Sequence, residues 1–226
     1  MPESERSTRQ AILDAAQVEF LEKGYQKAGL RDIAKKAGVT TGALYGYFKN
    51  KEEVFSALVK PHYDYMLDTY HRVLHSFHQF PAREQCENME NYTSRFAYEM
   101  ADYMYAHRDA FKLILCCSEG TPFNDLVHRM AQLDVDATHD FRSTVGEAGI
   151  PSAPVNPVLE HMLTSGMFST FFELIIHDIP REQAREYIDQ LLAFYSGGWA
   201  RIMGMTFGKQ PNQPSPCPGD ERGDLL

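Results

Sequence analysis

Apolar positions recur at spacings of three and four through most of this chain, and strand-like alternation is nearly absent. That period stacks side chains on one face of an α-helix, so the pattern predicts an all-α fold. Gly and Pro cluster at residues 24–29, Gly38, 120–122, 146–157, Pro180 and everything after Gly208. The first helix is predicted to start near Ser7 or Thr8, to carry Ile12, Ala16 and Phe20 on one stripe, and to end with Gly24 as C′ residue. A short second helix covers 30–37, and Gly38 makes the turn that follows. The third has a full start signal. Thr40 is its N-cap, because the hydroxyl can accept from first-turn amides, and Val39 and Leu44 form a hydrophobic staple. The fourth opens at Asn50, where Asn50 and Glu53 read as a variant capping box, and its apolar pattern extends to about Phe77 except for Pro61. Proline removes the bond to the carbonyl of Ala57. Two readings stand there: a kinked hinge between head and body, or a helix end near Lys60 followed by a new helix. Later helices are predicted over 88–105, 107–117, 122–147, 157–177 and 180–204.

Charge changes the picture more than composition does. With 43% apolar residues the 226-residue chain can bury a core, and its net charge of −9 argues against a polyanion partner. The distribution reverses that argument for one end. Residues 1–51 hold nine Lys/Arg against six Asp/Glu, a net +3, whereas residues 52–226 hold 13 against 25, a net −12. A small basic head on an acidic body suggests that only the head meets a polyanion. No stretch reaches the roughly 18 apolar residues of a membrane span, and the first residues lack a secretory apolar core, so a cytoplasmic protein without a membrane partner is expected. Cys86, Cys116, Cys117 and Cys217 show no paired spacing, which fits a reducing compartment and neither disulfides nor zinc. His71, His75 and His78 share a helix face, but spacing fixes no fourth ligand; they read as a solvated polar face, and no metal or other cofactor is expected. Residues 208–226, rich in proline, read as a disordered tail.

A first helix, two short ones about a glycine turn and a capped long one make a helix-turn-helix unit on a three-helix core. With Leu44 and Phe48 turned to the core, a 100° step per residue puts Gly42 and Gly46 at the outward pole of the third helix. Ala43 and Tyr45 flank that ridge, and Thr41 and Tyr47 lie nearer the core boundary. A ridge without side chains can sit deep in a major groove about 12 Å wide. Thr40, Thr41, Tyr47 and Lys51 have the chemistry to reach phosphates, and Lys51 adds its charge to the positive end of the fourth helix. The stretch from Thr8 to Phe55, TRQAILDAAQVEFLEKGYQKAGLRDIAKKAGVTTGALYGYFKNKEEVF, closely resembles the N-terminal domain of TetR-family (tetracycline-repressor-like) transcriptional regulators. The matching features are Ile12, Ala15–Ala16, Phe20, Gly24–Tyr25, Ile33–Ala34, Ala37–Gly38–Val39, Gly42, Leu44–Tyr45, Tyr47–Phe48, Lys51–Glu52 and Phe55. The resemblance implies double-stranded operator DNA as partner, with Arg31, Thr40, Thr41, Gly42, Ala43, Tyr45, Gly46, Tyr47 and Lys51 at the contact. The chain departs from the family pattern in three places. Gly29 replaces the usual Ser or Thr cap, Thr41 stands where Lys or Arg is common, and Gly46 costs roughly 1 kcal/mol of helix propensity.

The resemblance divides the chain into a DNA-binding head (1–51), an effector-binding and dimerisation body (52–207) and the tail (208–226). In the body, Phe96, Met100, Tyr103 and His107 share a face, which is either core or the lining of a pocket for a small apolar or amphipathic effector. The last two helices carry more apolar surface than one side needs. A four-helix bundle between two copies would bury it, with Met162, Gly166, Phe168, Phe172, Leu191, Tyr195 and Trp199 at the interface of a homodimer. The function expected is a ligand-responsive regulator, a repressor, released from a near-palindromic operator by its effector; an activator also fits. The rival reading is a helical small-molecule binder or enzyme with a degenerate head, for which the smooth Gly42/Gly46 ridge is the support. No GxSxG, phosphate loop or HExxH occurs, so no catalytic role is expected.

Overall fold

The computed structural model describes residues 3–205, and within them the chain is helical throughout, without a strand. The head comprises α1 (Glu3–Lys27), α2 (Leu30–Lys36) and α3 (Thr41–Tyr47). The body comprises α4 (Lys51–His78), α5 (Ala82–Ala106), α6 (Arg108–Cys116), α7 (Leu126–Glu147), α8 (Pro157–Ile176) and α9 (Arg181–Met203). No described helix is long and apolar enough to cross a membrane. The proposed tail and Cys217 lie outside the described residues.

The local signals explain most boundaries. Thr40 Oγ1 accepts from the Ala43 amide at 3.1 Å, which starts α3 where its capping chemistry requires. Asn50 Oδ1 accepts from the Glu53 amide at 2.8 Å, and Glu53 accepts in turn from the Lys49 amide at 2.7 Å. The box is therefore displaced by one residue from its usual form, since the returning carboxylate caps N′ and not the N-cap itself. Gly29 precedes α2 with no side-chain cap, as its missing side chain dictates.

Four boundaries differ from expectation. Helix α1 begins at Glu3, ahead of the Ser7/Thr8 cap. Gly24 does interrupt it, but with φ 72° and ψ 166° it is no αL cap; another turn follows to Lys27. Helix α5 begins at Ala82, directly after Pro81, because proline fixes an extended entry and needs no amide partner. Helix α7 begins at Leu126, since residues 122–125 are taken up by turns. At Pro61 the helix continues, and α4 runs unbroken for 28 residues from head to body. The reading of a helix end near Lys60 is thereby overturned: one missing hydrogen bond is outweighed by packing along both halves of α4.

One apolar core runs through both parts. Ile12, Ala16 and Phe20 of α1, Ile33 of α2 and Leu44 of α3 are fully buried against Val54 and Phe55 of α4. Phe20 and Phe55 meet edge to face with ring centroids 5.0 Å apart, a geometry worth about 1 kcal/mol beyond the buried area. Toward the body, α1 packs on α6, α4 on α6 and α7, α7 on α8, and α5 on α9.

Candidate DNA interface and body cavity

The short helix α3 is held by one face only. Leu44 is fully buried and Phe48, its C-cap, is nearly so, whereas Gly42, Ala43, Tyr45 and Gly46 are exposed and Thr41 and Tyr47 half-buried. The ridge deduced from helical geometry is thus present, with Tyr45 as its one large side chain. A Cβ built on Gly46 would meet nothing within 4 Å. The glycine is therefore not required by packing inside the protein. Thr40 and Arg31 are also exposed, and Arg31 has no acidic partner among the described residues.

Lys51 departs from its expected role. Its ammonium donates to the backbone carbonyls of Tyr25 (2.7 Å), Gln26 (3.0 Å) and Ala28 (3.1 Å). It also lies 4.6 Å from the Tyr25 ring centroid. All three donors are spent on the C-terminal end of α1 and the residue after it, where carbonyls lack helical partners. Burial pulls the Lys51 pKa down. The side chain staples α1 to the start of α4 in place of standing free for a phosphate. The sequence carried no signal for this, because the partners are backbone atoms of uncharged residues.

A second network orders the head's charge. Glu19 is wholly buried beneath Lys23 (2.6 Å) and Lys36 (2.9 Å), which also reach Asp32 and Glu22. Burial alone would raise the Glu19 carboxyl, but the two ammoniums overcome it and hold the pKa below the usual range. These lysines serve the fold, which leaves Lys27, Arg31 and Lys35 as exposed head cations without an acidic partner among the described residues.

The head is tied to the body at the end of α6, and α4 is tied to the connection that leads into α7. The Tyr25 amide donates to the Cys117 carbonyl at 2.9 Å, at the end of α6. Phe123, in the connection to α7, contacts Phe55 and Tyr63 of α4. The Tyr63 hydroxyl donates to Asp125 at the start of α7. That bond and burial push the tyrosine pKa far above its ordinary value.

The body holds a partly open cavity of about 410 Å³. It lies among α4, α5, α7, α8 and α9, with Tyr70, Phe77, Phe96, Met130, Phe141 and Phe168 among its apolar walls. Asp134 projects into it, and its carboxylate accepts from the Tyr70 hydroxyl. Burial raises the Asp134 pKa to about 6, against the lowering effect of the Tyr70 bond and with the help of nearby Glu160. Glu160 is itself buried and accepts from His139 at 2.9 Å.

Only part of the expected pocket stripe reaches this cavity. Phe96 lines it, whereas Met100 is sealed in the core. Tyr103 and His107 join His62 and Tyr65 in a separate aromatic cluster: the Tyr103 hydroxyl is 3.0 Å from His62 Nδ1, and the rings of His62 and His107 are 4.4 Å apart. The stripe spans twelve residues, about 16 Å from end to end, so its two ends face different neighbours. His78 also departs from expectation. It leaves the solvated face of His71 and His75 and turns into the cavity, where burial lowers its pKa.

The expected interface residues divide similarly. Phe172 is core, and Phe168 is buried at the cavity wall. Leu191, Tyr195 and Trp199 are half-buried and line the cavity. A Cβ on Gly166 would come within 3.3 Å of the Tyr195 hydroxyl, so that glycine admits the chain's own α9. Met162 alone of the seven is exposed. The outward apolar face consists of Val158, Leu159 and Met162 on α8 with Phe194 and Ile202 on α9. Helix α8 is apolar all round, which is why its pattern could not separate inside from outside.

Residues 12–58 match the family model described as bacterial regulatory proteins, tetR family. Over 68 residues the chain is 43% identical to the transposon Tn10 TetC protein of Escherichia coli, a match covering 30% of this chain and 34% of that one. It therefore spans about a third of that curated relative's length. Solved structures match more widely. A TetR-family transcriptional regulator from Bordetella parapertussis superposes with a TM-score of 0.59 at 18% identity, covering 85% of this chain and 96% of that one. The transcriptional regulator FadR from Bacillus subtilis, in complex with stearoyl-CoA, superposes with a TM-score of 0.51 at 15% identity, covering 84% and 98%. At such identities the likeness shows the fold, while the head carries the sequence match. The head's motif therefore sits on a body with the fold of solved TetR-family structures, and the match to the tetR family model lies in residues 12–58.

Proposed function

We propose that this protein is a ligand-responsive transcriptional repressor, acting in the cytoplasm as a homodimer on a near-palindromic operator and released by a small molecule held in the body cavity. The observation that carries this reading is the exposed ridge of Gly42, Ala43 and Gly46 beside Tyr45, on a helix anchored from behind by Leu44 and Phe48. Such a helix can enter a major groove closely. Sequence would be read through the Ala43 methyl, Tyr45 and DNA shape. Thr40, Thr41, Tyr47 and Arg31 surround it with phosphate-contacting chemistry. The cavity supports the effector half of the reading, as does the stearoyl-CoA bound by the related FadR. The role is regulatory and not enzymatic.

The test is selection from a random duplex pool, followed by fluorescence anisotropy on the enriched site. Near-palindromic duplexes should be enriched, and affinity should fall steeply with salt, by about 0.9 log unit per log unit of salt for each phosphate neutralised. Gly46→Leu separates binding from folding. The added side chain has room and should stabilise α3 by about 0.5–1 kcal/mol, yet it should block the groove and weaken binding at least tenfold. Tyr45→Ala should weaken binding with an unchanged circular dichroism spectrum. No enrichment, or full affinity in both variants, would refute the placement of α3.

A further inference from the structure

The cavity walls combine many aromatic rings with charge of one sign. Asp134 lies inside, and Glu90 and Asp189 stand at exposed positions on the lining. No lysine or arginine is among the lining residues, and His78 is the one basic group. Tyr70 engages Asp134 Oδ1, which leaves Oδ2 without a donor among the described residues. Glu160 of α8 adds a second buried carboxylate near Asp134, paired among the described residues with the half-exposed His139. A desolvated carboxylate in an apolar chamber, with a second carboxylate buried behind the wall, is a site that a cation relieves and an anion worsens. The rings of Tyr70, Phe96 and Phe168 are in the same lining, and aromatic walls favour a cation further. A phosphate- or carboxylate-bearing ligand, by contrast, would find no cation to meet it in this lining.

We propose that the cavity is selective for lipophilic organic cations, apolar bodies bearing an ammonium or phosphonium charge, with Asp134 as the counter-charge. The proposal rests on the cavity being the effector site and names the chemistry of its occupant. Burying the charge of such a ligand beside Asp134 replaces the water the carboxylate has lost, while the aromatic walls take up its apolar surface. The groups facing Asp134 are Tyr70 from α4 and Glu160 from α8, the latter tied to His139 of α7. His78 from α4, Glu90 from α5 and Asp189 from α9 complete the titratable lining together with the tyrosines.

Tetraphenylphosphonium and tetraphenylborate test the idea, because they share shape and apolar surface and differ in the sign of a permanent charge. Calorimetric titration of the full chain at pH 7.5 should give at least tenfold tighter binding of the phosphonium. Asp134→Asn should lower phosphonium affinity at least tenfold and leave or raise borate affinity. Since neither probe titrates, any pH dependence belongs to the protein. Phosphonium affinity should fall as pH drops from 7.5 to 5 and Asp134 takes up a proton, and the fall should be absent in Asp134→Asn. Should that variant fail to fold, the pH profile of the wild type still decides: a flat or rising profile overturns the proposal. Equal affinity for both ions would overturn the cation assignment while the effector cavity stands. Binding of neither ion, nor of neutral naphthalene, would overturn the cavity reading and this proposal with it.

Discussion

Lys51 illustrates how one side chain can exchange a functional appearance for a structural role. Its position at a helix N-terminus beside the proposed DNA-reading helix suggests a phosphate contact, yet its three hydrogen bonds close the carbonyl end of α1. Hydrogen bonds to charged groups are worth roughly 1.5–3 kcal/mol when partly shielded from water, and three shared by one half-buried ammonium amount to about 2 kcal/mol in all. Lys51→Met keeps the apolar stem and removes the donors. It should lower the melting temperature by about 4–8 °C for a chain of this size, read by thermal circular dichroism. A residue that served only to bind phosphate would leave melting unchanged and alter DNA affinity alone. The lysine itself was visible in the sequence. Its partners were not, because carbonyls 23–26 residues away carry no side-chain signature. Asp134 is a similar case: an ordinary acidic residue on an amphipathic helix until α4 and α8 close over it.

Among the elements, those with local punctuation were legible and those defined by their neighbours were not. The caps at Thr40 and Asn50, the buried stripe of α1 and the outward glycines of α3 all follow from spacing within a few residues. The stripe of α5 is equally regular, but which part meets a cavity depends on where α9 leaves it and α6 begins. Helix α4 gave the opposite difficulty, a local break signal that tertiary packing overrides. Pro61→Ala should therefore stabilise the protein. The substitution restores a donor for the Ala57 carbonyl and removes an interior proline that costs up to about 3 kcal/mol. Part of that gain is offset by about 0.4–1 kcal/mol because the unfolded chain becomes freer. A net gain of about 1–2 kcal/mol is expected in denaturant unfolding followed by tryptophan fluorescence. No gain would mean that α4 divides at Pro61 in solution.

At the scale of the whole molecule, the apolar surface of α8 and α9 has two destinations. The inward set, with Phe168 and Phe172, builds the core and cavity; the outward set leaves Val158, Met162 and Phe194 at 69%, 64% and 74% exposure. The homodimer proposed above would bury the outward set between two copies, and this separates assembly from folding. Met162→Glu combined with Phe194→Glu should give folded monomers by light scattering with an unchanged helical spectrum, whereas Phe172→Glu should unfold the chain. A persistent dimer in the double variant would place the interface elsewhere. The long helix α4 has a mechanical consequence as well. The bond between Tyr63 and Asp125 pins it near its middle, with about 18 Å of shaft toward Lys51 and about 22 Å toward His78 at 1.5 Å per residue. A shaft pinned there is a balanced lever. A tilt that shifts the cavity end would shift the head end by a similar amount, in the opposite direction. Pro61, two residues from the fulcrum, sits where that lever is softest.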